Sequence, residues 1–202
     1  MRGQSTAENY MQNTEFSNKS FITQKPSETK KLARKFAGKA LRLGVKNKAI
    51  VFGLTGGLGS GKTIFVQGFA KELGIKEKVL SPTFVIFKKY ELPRASRVVS
   101  SGSASGEFFS FSCIHGQSPC YSRNENRIKP STNDFRNFYH FDCYRIKKAS
   151  DVLALGFKEI ISDPKNIVAI EWGERIKRIL PKDSTSIFFV FLDKNKRKIS
   201  FK

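Results

Sequence analysis

The chain has 202 residues, which corresponds to one or two domains of about 150 residues each. Hydrophobic residues make up 39% and charged residues 27%, a globular composition that excludes a wholly disordered, collagen-like or coiled-coil protein. Lys and Arg number 37 against 17 Asp and Glu, which gives a formal net charge of +20. This charge favours a polyanionic partner such as RNA, whereas an A/T-rich genome would also raise the lysine content without such a function.

The sequence contains neither a membrane span nor a secretory signal. No apolar run approaches the roughly 20 residues that cross a bilayer, and the first residues lack the apolar segment of a signal peptide. The three cysteines, Cys113, Cys120 and Cys143, are too few for a disulfide-stabilised scaffold. These features predict a cytoplasmic protein with reduced thiols and no membrane contact.

The N-terminal part divides into a polar segment and a first helix. Residues 1–20 lack periodicity and predict a flexible leader, with the folded domain at 21–202. A capping signal at Ser27 is followed by apolar residues at helical spacing, which predict a helix that ends at Gly44.

A strand, a turn and a helix come next. The continuous apolar run at 49–54 is typical of a strand buried on both faces of a parallel sheet. A glycine-rich turn connects it to residues 64–73, whose pattern predicts a helix closed by Gly74. A loop around Pro82 then leads into a strand that ends at Pro93.

The stretch 94–137 differs from its surroundings. Ser, Gly, Asn and Pro dominate it, and a loop of this length is unusual inside a compact domain. We therefore predict a disordered surface insertion between two strands. The spacing of Cys113, His115 and Cys120 matches no familiar zinc site. Arg and aromatic residues are mixed here as in RNA-binding segments, but a solvated loop is the favoured explanation.

The C-terminal part returns to alternating strands and helices. Apolar runs at 138–142 and 166–172 predict buried strands, each with a carboxylate at its end. Further elements are predicted as short helices at 153–161 and 176–180 and a terminal strand pair at 186–192 and 198–201. The alternation predicts the α/β class with a mostly parallel central sheet.

Residues 56–63 carry the most specific motif. Gly56-Gly57-Leu58-Gly59-Ser60-Gly61-Lys62-Thr63 fits the P-loop pattern in full, between a buried strand and a helix. Backbone N–H groups of such a loop converge on phosphate oxygens, and the positive end of the helix adds to the attraction. We expect Lys62 to reach the β- and γ-phosphates and Thr63 to be a magnesium ligand. The motif predicts a three-layer P-loop NTPase fold with these nucleotide-binding residues: Gly57, Leu58, Gly59, Ser60, Gly61, Lys62, Thr63 and Ile64.

Two carboxylates complete the predicted site. Asp142 and Glu171 lie at the carboxyl ends of apolar strands, where open α/β sheets bind ligands, and a P-loop site needs such a group to hold Mg²⁺. Thr83 lies in a loop where a switch-type NTPase places a hydroxyl that senses the γ-phosphate, although it could equally be a buried residue at a strand start. We predict a metal site at Thr63, Thr83, Asp142 and Glu171. The predicted catalytic residues are Lys62, Asp142 and Glu171.

Five segments together resemble the TsaE (YjeE) family, the small P-loop ATPases of bacterial threonylcarbamoyladenosine tRNA modification. In chain order they are Ser27-Glu28-Thr29, the P-loop, Ser81-Pro82-Thr83-Phe84, Tyr139-His140-Phe141-Asp142-Cys143-Tyr144-Arg145 and Ile170-Glu171-Trp172. A P-loop alone would be generic, but its combination with the last two segments is specific. The resemblance spans almost the whole predicted domain apart from the insertion.

The resemblance implies that ATP hydrolysis is coupled to a partner enzyme. In this family the ATPase associates with the TsaD–TsaB pair, and TsaD transfers the threonylcarbamoyl group to the tRNA adenosine next to the anticodon. By resemblance, Lys62 binds phosphate, Thr63 and Asp142 hold Mg²⁺, Thr83 belongs to a switch-like loop, and Glu171 is a second essential carboxylate that organises the metal or positions water. Contact with tRNA is expected to be indirect or through the basic surface, and no DNA partner is expected.

Two departures from the family and two rival functions remain open. Gly57 stands where the family usually has an acidic residue, and the insertion at 94–137 is far longer than the family's connection. One rival is a P-loop kinase of a small molecule, with the insertion as its lid. The other is a basic RNA-binding protein with a vestigial nucleotide site, against which the intact Lys62–Thr63 pair and both carboxylates argue.

Overall fold

Seven strands form one sheet in the computed structural model, which describes residues 16–45, 47–82, 84–93 and 135–202. In chain order the elements are β1 (Ser20–Thr23), α1 (Pro26–Leu43), β2 (Ile50–Gly56), α2 (Lys62–Glu72), β3 (Phe87–Glu91), β4 (Asn137–Asp142), α3 (Ala149–Leu153), α4 (Phe157–Ser162), β5 (Asn166–Glu171), a 3₁₀ segment (Gly173–Ile179), β6 (Thr185–Phe191) and β7 (Arg197–Phe201). Among the described residues, no helix is long and apolar enough to cross a membrane.

The strands are ordered β1-β7-β6-β2-β5-β4-β3 across the sheet. The four central strands, β6, β2, β5 and β4, run parallel to one another, whereas the outer pairs β1–β7, β6–β7 and β3–β4 are antiparallel. The predicted α/β class with a mostly parallel centre is therefore confirmed. The short turn between β6 and β7 accounts for the antiparallel direction there, because parallel strands need a long crossover.

Helices cover both faces of the sheet and bury two separate cores. On one face, α1 and α2 pack on the sheet through rings that include Phe36, Phe52, Phe65, Phe69 and Phe201. On the other face, α3, α4 and the 3₁₀ segment cover a smaller core that includes Phe141, Phe157, Val168 and Ile170. All six residues of β5 are buried, as its continuous apolar pattern predicted. The predicted three layers are thus present.

Three helix boundaries differ from the prediction. Helix α1 begins at Pro26, before Ser27, and Glu28 accepts a hydrogen bond from the Gln24 N–H at 2.7 Å. The single helix predicted over 153–161 is two helices, α3 and α4, since Gly156 between them has a left-handed φ of 76°. The helix predicted over 176–180 is a 3₁₀ segment that starts earlier, at Gly173.

The last residues of the predicted leader belong to the fold. Phe16 is buried against the rings of Phe21, Phe36 and Phe201, and Ser20 begins the edge strand β1. The sequence signal for these residues was weak because a single aromatic residue in a polar segment has no periodicity. Residues 1–15 lie outside the described part of the chain.

The predicted insertion also contributes its end to the fold. Phe135 is buried, and Asn137 begins β4, where its amide donates to the Asn166 side-chain oxygen at 2.9 Å. The strands on either side of the insertion, β3 and β4, are antiparallel neighbours. Residues 94–134, with Cys113, His115 and Cys120, are not among those described.

A close approach between α1 and α2 depends on a glycine. A Cβ on Gly68 would lie 2.6 Å from the Lys30 carbonyl oxygen and 2.7 Å from the Lys30 Cα. These are backbone atoms of the facing helix, so the contact cannot relax by a side-chain rotation. The packing of α1 on α2 therefore requires the absence of a side chain at Gly68.

We expect Gly68→Ala to destabilise the protein by about 1–3 kcal/mol, because the two helices must separate. Urea unfolding followed by Trp172 fluorescence measures this change. The matched control is Gly38→Ala in α1, where the new Cβ would come no closer than 3.8 Å to the Glu72 carboxylate. That control should gain up to about 1 kcal/mol from helix propensity. Equal effects of both substitutions would contradict the packing argument.

Candidate nucleotide-binding site

The P-loop connects β2 to α2 at the carboxyl edge of the sheet. Strand β2 ends at Gly56 and α2 begins at Lys62, with Gly61 in the left-handed region at φ 100°. A Cβ on Gly61 would also lie 3.1 Å from the Arg197 side chain. The left-handed backbone of the turn into the helix therefore favours glycine at position 61, and a side chain there would also displace the end of Arg197. The strand–loop–helix arrangement predicted for 49–73 is confirmed.

Lys62 is folded into the loop that precedes it. Its Nζ donates to the carbonyl oxygens of Gly56 at 2.8 Å and Gly57 at 2.9 Å. The same atom lies 4.0 Å from the centre of the Trp172 ring, a cation–π contact. These partners are neutral, so they leave the ammonium free to exchange them for anionic oxygens.

Burial lowers the pKa of Lys62 below its ordinary value. The carboxylates of Glu171, Glu174 and Asp142 oppose this shift and raise it, in that order of importance. Burial disfavours the ammonium because it removes water, while nearby negative charge favours it. A buried ammonium facing carboxylates is suited to bind phosphate oxygens together with a divalent cation.

The other predicted loop residues have contrasting environments. Leu58 is exposed at the tip with Gly57 and Gly59, whereas Ser60 is buried. The Ser60 hydroxyl has no hydrogen-bond partner within the described part of the chain. A buried polar atom without a partner is costly, and a ligand at the loop would supply one. Ile64 is half-buried in the first turn of α2.

Glu171 lies directly beside the P-loop threonine. The Thr63 hydroxyl donates to Glu171 Oε2 at 2.9 Å. Strand β5 is the parallel neighbour of β2, and Glu171 is in register with Leu54, so the end of β5 meets the start of the P-loop. Glu171 is buried, and its second oxygen, Oε1, lies 2.9 Å from His140 Nε2.

Asp142 occupies the corresponding position one strand further out. It is in register with Glu171 across the β4–β5 pair, so the two predicted carboxylates lie side by side. The Ser81 hydroxyl donates to Asp142 Oδ2, and the Tyr144 N–H donates to Oδ1 at 2.9 Å. The structure thus brings Lys62, Thr63, Asp142 and Glu171 to one edge. Thr83, the remaining predicted ligand, lies outside the described residues, so its role stays a prediction.

These residues fit a magnesium ion that is shared with a nucleotide. No group of three or more His, Cys, Asp or Glu side chains among the described residues forms a ready-made metal site. Mg²⁺ retains several waters and takes only one or two protein ligands when phosphates supply the rest. One hydroxyl beside a carboxylate, with a second carboxylate on the next strand, matches that donor set.

Arg197 is a site residue that sequence reasoning missed. It begins β7, is buried, and packs its side chain on Gly61. Its Nη1 donates to the Asn195 carbonyl oxygen at 2.9 Å, while Nε has no hydrogen-bond partner in the described ranges. Only the antiparallel return of β7 beside β6 brings this cation to the loop, so no local motif could have identified it.

Cys143 follows Asp142 and lies buried beneath the edge of the sheet. The thiol is buried and free, and burial, followed by the nearby Asp142 carboxylate, raises its pKa to about 12. The thiolate is the nucleophilic form of cysteine. Nucleophilic catalysis by Cys143 at neutral pH is therefore not supported, in agreement with the sequence interpretation.

We expect Asp142→Asn to weaken magnesium-dependent nucleotide binding about tenfold, the effect typical of a group near a metal. The amide keeps one acceptor for the Tyr144 N–H but removes the negative charge. Titration of nucleotide binding at increasing Mg²⁺ concentration measures the change, with the exposed Asp183→Asn as a charge-matched control. An unaltered magnesium dependence would assign the metal role to Glu171 alone.

Comparisons with known proteins agree with this architecture. The family described as "Threonylcarbamoyl adenosine biosynthesis protein TsaE" matches residues 23–99 and 110–199. A relative named tRNA threonylcarbamoyladenosine biosynthesis protein TsaE, from Rickettsia typhi, is 30% identical over 176 residues, which cover 87% of this chain and 88% of the relative. A protein of the same name from Bacillus subtilis is 28% identical over 179 residues, covering 89% and 82%.

A solved structure shares the fold. The crystal structure of Bacillus subtilis YdiB superposes with a TM-score of 0.54 at 24% sequence identity, and the match covers 91% of this chain and 83% of YdiB. At this level of identity the likeness concerns the fold alone. It supports the arrangement of helices on both faces of the central sheet.

Proposed function

The chain belongs to the TsaE family of tRNA threonylcarbamoyladenosine biosynthesis proteins, and we propose that it is the ATP-hydrolysing subunit of that modification. It works in complex with TsaD and TsaB partners. Its ATP turnover supports repeated transfer of the threonylcarbamoyl group to the adenosine next to the anticodon of tRNA.

One observation carries the proposal of ATP hydrolysis. The Thr63 hydroxyl is hydrogen-bonded to the Glu171 carboxylate at 2.9 Å, beside the buried ammonium of Lys62 in the P-loop. A P-loop threonine, a strand-end carboxylate and a loop lysine are the parts that position a nucleotide triphosphate and its metal ion. A vestigial nucleotide site would have no reason to keep all three at one edge of the sheet.

In the proposed reaction, different residues of the site bind phosphate, hold the metal ion and orient water. Lys62 binds the β- and γ-phosphate oxygens in place of the loop carbonyls, and Arg197 adds a second cation beside Gly61. Thr63, Asp142 and Glu171, together with Thr83, hold the metal ion directly or through water. When bound, Mg²⁺ neutralises phosphate charge. Glu171 also orients the attacking water within the reach of its carboxylate.

Exposed apolar side chains near this edge support a protein partner. Leu58, Phe84 and Val85 are exposed by 82%, 85% and 65%. The Arg145 guanidinium covers the Phe84 ring at 4.7 Å, and Tyr144 packs on Trp172 at a ring distance of 5.1 Å. Apolar and aromatic surface with Arg is typical of protein interfaces. We place the TsaD–TsaB contact at this rim, where docking can act on the nucleotide site.

Lysines around the edge strand β1 provide the surface for tRNA. A cleft of about 390 Å³ on one side of β1 is lined by Lys19, Lys31 and Lys35. Lys19 also lines a second cleft of about 340 Å³, together with Lys198 and Lys202. Clustered lysines neutralise nucleic-acid phosphates without reading their sequence. The tRNA contact we propose here is therefore electrostatic and weakens as salt is raised.

The decisive experiment is steady-state ATP hydrolysis by the purified chain with Mg²⁺, alone and with TsaD and TsaB. We expect low turnover alone and higher turnover with the partners, while Lys62→Ala controls for contaminating ATPases. Turnover that is indifferent to the partners would overturn the coupling role. ADP formation that requires an added metabolite would instead support a small-molecule kinase.

A further inference from the structure

His140 is a fully buried polar side chain in the centre of β4. Its Nε2 lies 2.9 Å from Glu171 Oε1, and both side chains are buried. His140 Nδ1 has no hydrogen-bond partner in the part of the chain that is described. The imidazole therefore makes one hydrogen bond, and that bond ends on a carboxylate of the nucleotide site.

The two oxygens of Glu171 have different partners. Oε1 faces His140 Nε2 and Oε2 accepts the Thr63 hydroxyl. A carboxylate accepts hydrogen bonds, so we assign to His140 the tautomer in which Nε2 donates to Glu171. With a donor on each oxygen, the carboxylate plane cannot rotate without breaking a buried hydrogen bond. Each such break costs the desolvation of a group left without a partner.

The strand register explains how His140 reaches Glu171. Strand β4 is parallel to β5, with His140 opposite Ala169 and Asp142 opposite Glu171. His140 is two residues before Asp142 on the same side of the pleated strand, so its longer side chain reaches along the sheet to Glu171. The small side chain of Ala169 leaves room for the ring beside it.

We propose that His140 is a positioning residue of the nucleotide site: it fixes the Glu171 carboxylate in the orientation that presents Oε2 to Thr63 and to the metal shell. This role rests on the proposed function of the same site. His140 acts through Glu171 and touches neither nucleotide nor metal. The line of contacts from His140 to Glu171 to Thr63 couples a buried residue of β4 to the first turn of α2.

Three substitutions separate positioning from packing. His140→Leu keeps an apolar volume but removes the donor, and His140→Asn places its amide nitrogen near the position of Nδ1, away from Glu171. His140→Gln places an amide nitrogen near the position of Nε2 and restores the donor. We expect His140→Leu and His140→Asn to weaken the enhancement of ATP binding by Mg²⁺ 10–100-fold, as substitutions of residues behind a metal-site ligand do. Gln should remain within about threefold of the unsubstituted chain.

The measurement is calorimetric titration of the full chain with ATP at increasing Mg²⁺ concentration, paired with the thermal unfolding midpoint of each variant. If His140 positions Glu171, His140→Leu and His140→Asn lose the enhancement of ATP binding by Mg²⁺ and His140→Gln retains it. This pattern is expected whatever the unfolding midpoints of the three variants. Equal losses in all three variants that follow the unfolding midpoint would show a packing role and overturn the proposal. Unchanged magnesium dependence in all three would overturn it as well.

A double substitution tests the route through Glu171. In a Glu171→Ala background, His140→Leu should cause no further loss of magnesium dependence, because the group that it orients is gone. A full additional loss would overturn the proposal. Failure of the proposed function has a different signature: the unsubstituted chain would bind ATP with Mg²⁺ but would not turn it over, even with the partners. The binding titrations still decide the role of His140 in that case.

Discussion

Lys62→Ala should lower ATP turnover by at least about 100-fold, the loss typical when one preorganised group that stabilises transition-state charge is removed. Lys62 is the only side chain of the P-loop segment 56–63 that carries a positive charge, and its ammonium is already buried in the loop that we expect to bind the phosphates. Alanine leaves the γ-phosphate charge without this partner. Steady-state ADP release at saturating ATP and Mg²⁺ measures the effect.

The matched control for this prediction lies on the same helix. Lys71→Ala removes an exposed lysine from the last turn of α2, so the net charge of the protein changes by the same amount. We expect Lys71→Ala to retain the turnover of the unsubstituted chain. Turnover that persists in Lys62→Ala would place the hydrolytic site elsewhere, and a comparable loss in both variants would indicate a general charge effect.

Glu171→Gln should also reduce turnover by about 100-fold or more, because it removes a charge and disturbs both hydrogen bonds of the carboxylate. An amide offers one acceptor and one donor, whereas His140 Nε2–H and the Thr63 hydroxyl both donate to Glu171. Thr63 or His140 is then left facing a donor in a buried site. The measurement is turnover as a function of Mg²⁺ concentration.

Glu174→Gln is the charge-matched control for Glu171→Gln. Glu174 is exposed at the start of the 3₁₀ segment and acts on Lys62 through its charge. The Glu174→Gln substitution should therefore reduce ATP turnover much less than Glu171→Gln does. Equal losses would mean that the site needs negative charge alone and not the Glu171–Thr63 hydrogen bond.

The same two variants should shift the pH dependence of ATP turnover in a defined direction. Burial lowers the pKa of Lys62, and Glu171 raises it more than Glu174 does. Removing either carboxylate lets the Lys62 pKa fall further, so the ammonium is lost at a lower pH. The alkaline limb of kcat/KM, which reports the free protein, should move to lower pH in both variants and further in Glu171→Gln. A shift to higher pH would contradict this electrostatic account.

Local patterns were sufficient for the elements that build the P-loop. A continuous apolar run, a glycine-rich turn and a helical repeat are properties of neighbouring residues, and β2, the loop and α2 lie where those patterns predicted. The motif combination that resembled the TsaE family is confirmed by the family match over most of the chain. Elements with little local signal, such as β1 and the break at Gly156, were not predicted.

The different contacts of the two carboxylates could not be predicted from local patterns. Asp142 and Glu171 looked equivalent in sequence, since each ends an apolar strand. The sheet order distinguishes them, because β5 lies between β2 and β4 and brings Glu171 to Thr63. Asp142 lies one strand away and is held by Ser81 and Tyr144. Strand order depends on how segments that are distant in sequence pair, and a short stretch of sequence carries no information on that pairing.

Sequence patterns predicted the α/β class, the P-loop and the residue types of the candidate site. The contacts of His140 with Glu171, of Arg197 with Gly61 and of Phe16 with the core become visible only in the folded chain. The two groups of features differ in the range of the interactions that form them. Loop and helix formation depend on backbone preferences of adjacent residues, whereas these contacts join segments that become neighbours only after the sheet has assembled.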